Sequence, residues 1–180
     1  MAFFDKDFTE ILGTQMFSII GGIIAGTILA IYEDNLLIIP GMLIMIPGFL
    51  EMRNNIAGSF SSRITSGLFL HIIKPNHMKT KIIKGNIIAS FILGILVSIM
   101  LGLIAFTFNY YLMGLYYPSI IIIPLIAGII SNGIEIPLTL VSILYLFKKG
   151  HDPNNIIGPF ITAVGDVVGI LSLLVALLIL

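Results

Sequence analysis

The sequence predicts an all-α integral membrane protein with five spanning helices, and three observations carry that reading. Of 180 residues, 58% are hydrophobic and only 10% are charged, against roughly 25% charged in ordinary soluble domains. The few charges fall in clusters that separate long uncharged runs. Each run is about as long as the ~20 apolar residues that cross a bilayer as a helix. A water-soluble enzyme is thereby excluded. Nine basic and nine acidic residues give a formal net charge of zero, so no nucleic acid or other polyanion is expected as a partner. With no Cys, disulfides, thiolate metal sites and iron–sulfur clusters are excluded. The first ten residues, MAFFDKDFTE, carry acids where a signal peptide has a basic region, so no cleaved signal is expected.

The first helix is read at 11–31, the uncharged run between Glu10 and Glu33. Its Gly13, Gly21, Gly22 and Gly26 permit close helix packing. The second segment, 36–70, is interrupted by Glu51, Arg53, Asn54, Asn55 and Arg63. At helical rise it would measure roughly 50 Å, too long for one straight span. Pro40 and Pro47 remove backbone donors, so this helix is expected to be kinked or broken. No charge occurs between Lys84 and Glu135. The aromatic turn at 109–118, with Tyr110, Tyr111, Tyr116 and Tyr117, divides that run at a membrane interface. The third helix is placed at 86–108, the fourth at 119–147 and the fifth at 156–180, after a polar turn from Lys148 to Pro153.

Five spans put the termini on opposite sides, and Lys and Arg select the orientation. Lys74, Lys79, Lys81 and Lys84 lie in one connection, Lys148 and Lys149 in another, and Lys6 precedes the first helix. The two remaining connections hold no basic residue. A cytoplasmic N-terminus and an external C-terminus are therefore expected, in a multi-pass protein of the cell membrane. The stretch 71–84 reads as a basic loop rather than a surface helix. His71, His77 and His151 are too scattered to predict a metal site.

Charges inside spans cost at least ~2.5 kcal/mol each on insertion scales and so demand a reason. Asp166 stands about 15 Å into the fifth helix and Glu135 about 18 Å into the fourth. These depths match on consecutive antiparallel helices. Asn132 is one turn from Glu135 and Thr162 one turn from Asp166. Asn55 and Glu51, on the broken helix, add further oxygens. Carboxylates, amides and hydroxyls beside irregular, proline-marked backbone in a wet cavity suit a hard divalent cation, and magnesium binds largely hydrated through few carboxylates. Asp166, Glu135, Asn55, Asn132, Thr162 and Glu51 are accordingly the candidate ion ligands. The alternative is that Arg53 and Arg63 neutralise Glu51, Glu135 or Asp166 as buried pairs. Gly165 and Gly169 beside Asp166 would admit a neighbouring backbone or an ion.

His151-Asp152-Pro153, then Gly158-Pro159-Phe160-Ile161-Thr162 and Gly165-Asp166-Val167-Val168-Gly169, resemble the last-helix signature of the MgtE magnesium channels and transporters. Asn54-Asn55 followed by Ser62-Arg63-Ile64-Thr65-Ser66 is similar to the second-helix pattern of the related eukaryotic solute-carrier magnesium transporters. The resemblance spans nearly the whole chain and is most specific in the last helix. It implies that Asp166 holds a hydrated magnesium ion in a pore and that Asn55 is the second-helix pore amide, preceded by Asn54 where a glycine is usual. Glu51 and Arg53 stand where the bacterial pattern has small or neutral residues. Bacterial members carry a cytoplasmic N-terminal domain and a CBS pair. With about ten residues before the first helix here, a single transmembrane domain, 1–180, without those regulators is expected.

Eukaryotic relatives carry two five-helix units, and a homodimer would restore that architecture. The reading is then a homodimeric, magnesium-preferring divalent-cation channel or transporter with its pathway lined by the second, fourth and fifth helices. It needs no cofactor beyond the transported ion. The alternatives are a proton-coupled small-solute carrier, with Glu135 and Asp166 as proton carriers, and a non-transporting membrane interaction subunit. No nucleophile–base arrangement supports an enzyme.

Overall fold

The computed structural model describes residues 6–76 and 80–180; Lys79 and His77 of the basic loop lie outside them. Five long helices form the bundle: α1 (Lys6–Ile31), α3 (Met42–Phe69), α4 (Lys81–Met113), α5 (Ile122–Lys148) and α6 (Pro153–Ile179). A single-turn helix, α2 (Glu33–Leu36), and a 3₁₀ turn (Pro118–Ile121) complete it. The α1 helix, the α5 segment with its leading turn, α4 and α6 are long and apolar enough to cross a membrane; polar residues keep α3 from that group.

The helix ends follow local chemistry. Thr80 caps α4, its hydroxyl accepting from the Ile83 amide, and Gly114, at φ 67°, closes the helix in a left-handed conformation. Asp152 caps α6 by accepting from Asn154 N at 2.8 Å, with Pro153 as the first helical residue, where its missing N–H is harmless. The break expected inside the second span falls instead ahead of it. The chain turns through Leu37–Gly41, and α3 then runs as one helix from Met42. Gly41 takes φ 87°, closed to most side chains, while Pro47 sits in the second turn, where it forfeits a single intrahelical bond. Asn109 of α4 donates to the Pro40 carbonyl at 2.8 Å and ties this turn down. Of the other long helices, α1 and α4 begin five residues before their expected starts, α4 also ends five residues later, α6 begins three residues earlier, and α5 begins three residues later, behind the 3₁₀ turn.

The α3 helix lies at the centre, packed on α4, α5 and α6. Met45, Phe49, Met52, Ile56, Phe60 and Ile64 face inward at helical spacing and join the main apolar core. Its opposite stripe, Glu51, Asn55, Ser59, Ser62 and Ser66, is exposed. By contrast α1 packs chiefly on α6. Of its glycines only Gly21 makes the expected close approach, against Ala163; Gly13, Gly22 and Gly26 have open space where a Cβ would stand. The tyrosines of the 109–118 turn are exposed, with Phe106 stacked on Tyr110 and edge-on to Tyr116.

Candidate functional site

Three helices bring charge to one point inside the bundle. Glu135 lies halfway along α5 and Asp166 halfway along α6, so their matched depth follows from the antiparallel pairing of these helices. Arg53 reaches from α3 between them. Its Nη1 is 2.7 Å from Glu135 Oε1, and its Nη2 donates to Asp166 Oδ1 at 3.0 Å. The Arg53 side chain is 0% exposed and Glu135 3%, whereas Asp166 is 21% exposed. Asp166 alone of the three therefore faces an accessible space.

Room for the guanidinium comes from α6. A Cβ on Gly165 or Gly169 would strike the Arg53 head group, so the neighbour these glycines admit is a side-chain cation. The three charges sum to a formal −1, because one guanidinium cannot neutralise two carboxylates. Burial of such groups is penalised by several kcal/mol per ion unless geometry and hydrogen bonding compensate. Here compensation is incomplete: neither Glu135 oxygen nor Arg53 Nε has a hydrogen-bond partner.

The other candidate residues fall in different places. Asn55 donates from Nδ2 to Glu51 Oε1 at 3.0 Å, on the exposed face of α3. Thr162 turns its hydroxyl to the Gly158 carbonyl of its own helix, one turn before Asp166. Asn132 is buried against Gly94 of α4, so it belongs to the α4–α5 contact. Among the described residues Arg63 pairs with no carboxylate; it donates to Asn86, Ser59 and Ser90. His151 Nδ1 meets Glu10 Oε1 at 2.8 Å, joining the start of α1 to the α5–α6 turn. Among the described residues, no group of three or more His, Cys, Asp or Glu gathers as a metal cage. The arrangement suits a hydrated divalent cation held through few carboxylates better than a stripped ion.

The sequence offered Arg53 and Arg63 as alternative buried partners of these acids. The structure brings Arg53 to both Glu135 and Asp166, and sequence alone does not say which of the two arginines on that helix meets them.

Below this centre the α3–α6 seam opens to the outside. Gly58, Ser61 and Ser62 of α3 and Asn154, Ile157 and Gly158 of α6 line a shallow cleft. No curated protein and no solved structure matches the chain. Residues 46–176, which hold α4, α5, nearly all of α3 and most of α6, match the family model of MgtE, the divalent cation transporters, and the chain belongs to that family.

Proposed function

We propose that the protein is a homodimeric, magnesium-preferring divalent-cation channel or transporter whose pathway runs along the α3–α6 face. All five long helices, α3 included, cross the membrane in this reading, with the N-terminus cytoplasmic as the lysines require. The observation that carries it is the exposed polar stripe of α3, Glu51, Asn55, Ser59, Ser62 and Ser66, continuous with partly exposed Asp166. Lipid cannot hydrogen-bond these groups, so the stripe requires water or protein in front of it. A second copy related by a two-fold axis along the membrane normal supplies both and keeps each copy in the same orientation. Asp166 from each copy then flanks the pathway, with Asn55 and Glu51 along its wall. Glu135 stands behind Arg53 and shapes the site without touching the ion.

The test is metal flux into liposomes holding the purified protein, with magnesium, calcium, manganese and cobalt in competition. Divalent uptake with magnesium preferred supports the reading. Uptake of an organic solute driven by a pH gradient, indifferent to magnesium, would replace it with the proton-coupled carrier.

A further inference from the structure

Arg53 has a role in the site that charge neutralisation alone does not describe. An arginine keeps its charge under all working conditions, so it is a permanent cation lodged against the carboxylate that faces the pathway. It is fully buried, and two acids on two helices hold it, at 2.7 Å and 3.0 Å. Gly165 and Gly169 shape α6 to its head group. Among the described residues, Glu135 makes no hydrogen bond and its ion pair is with Arg53. Asp166, by contrast, is shared between the guanidinium and the accessible space. A divalent ion arriving there meets a carboxylate already partly satisfied, with a positive charge directly behind it.

Resting on the transport reading above, we propose that Arg53 sets the affinity of that site, a tethered competitor that weakens ion binding at Asp166 so that bound ions are released. Conduction needs binding weak enough to allow exit. With Arg53 and Glu135 both in place, these two and Asp166 sum to −1, Glu51 on the wall being the same in every variant, and the site holds a hydrated ion loosely. Arg53→Met leaves −2, Glu135→Gln leaves 0, and the double substitution returns to −1. Affinity should follow that order, because charge this close in a low-dielectric interior acts strongly.

The experiment measures concentration-dependent magnesium flux in liposomes for wild type, Arg53→Met, Glu135→Gln and the double variant, with magnesium binding to each by calorimetry. In Arg53→Met, KM should fall about tenfold and maximal flux should fall with it, because release slows. In Glu135→Gln, KM should rise about tenfold. The double variant should return close to the wild-type KM. A residue that only held the fold would change the amount of active protein and leave KM alone, so a shared KM among the folded variants overturns the proposal. Should Arg53→Met fail to fold, the other two decide, since the only charge either leaves without a partner is Asp166, which is 21% exposed: a double variant as weak as Glu135→Gln overturns it. Absence of divalent flux in the wild type would overturn the transport reading by itself. Calorimetry still ranks the four proteins in that case, and binding that ignores the charge order removes the inference too.

Discussion

At the scale of single residues, Asp166 and Gly165 carry different kinds of consequence. Asp166→Asn keeps the shape of the side chain and its hydrogen bond with Arg53 while removing the charge offered to an ion. Magnesium flux should fall to background with unchanged yield and detergent stability; wild-type flux in this variant would remove Asp166 from the pathway. Gly165→Ala adds a methyl group where the Arg53 guanidinium lies. The head group must shift and its two ion pairs lengthen, at a cost below the roughly 3–5 kcal/mol of deleting one partner of a buried pair. Thermal unfolding in detergent should register the loss, while Val164→Ala, at a half-buried neighbour, should change it by less than about half that. Much of this site was legible in the sequence: two acids without local partners, at matching depth, flanked by glycines. Which of Arg53 and Arg63 closes them into a unit was not. Arg53 lies 82 positions before Glu135 and 113 before Asp166 (135 − 53 and 166 − 53), and no periodicity within one helix reports on such a contact. Asn132, one turn from Glu135 on the same helix, packs against Gly94 of α4, a contact that its helical spacing does not report.

At the scale of helices, the uncharged runs of α1, α4, α5 and α6 express directly what a bilayer demands, while their capped starts were less legible. Asp152-Pro153 reads as a turn in the sequence and opens α6 in the structure, and Thr80 caps α4, which begins five residues before its expected start. The stretch 36–70 was harder, because apolar content continues through the turn at Leu37–Gly41 and only backbone geometry places the interruption. Glycine content likewise misled for α1, where three of four glycines face open space. Gly21 is the exception, and it sets how closely α1 approaches α6. Gly21→Ile should part the two helices, because the added atoms meet the Ala163 backbone. Cysteines introduced across this seam should then cross-link at a fraction of the control rate, with α3–α6 packing unchanged by the same assay. Equal cross-linking would mean that the seam tolerates bulk by sliding.

At the scale of the whole molecule, the proposed dimer and the ion should stabilise each other. Two Asp166 carboxylates brought to one axis repel unless a cation lies between them, and a ligand that binds only the assembled state raises its stability. Millimolar magnesium should therefore raise the melting temperature in mild detergent, and less so for Asp166→Asn. A monomer in both detergent and lipid, or an antiparallel dimer shown by labelling the two termini, would contradict this arrangement.

The family match begins at residue 46, so α1 stands outside it, and α1 leans on α6 far more than on any other helix. Synthesis gives that partnership an order in time. The α1 helix is made before α3, α4 and α5, and its partner only after all three. Until then its Thr14, Ser18 and Gly21 side has no docking surface and faces lipid or the insertion machinery. Helix association in a bilayer follows insertion and depends on close packing between surfaces already present. The contact of Gly21 with Ala163 therefore belongs among the last steps of assembly, and a nascent chain halted before α6 would carry α1 undocked, held to the other helices only through its tether, residues 32–41.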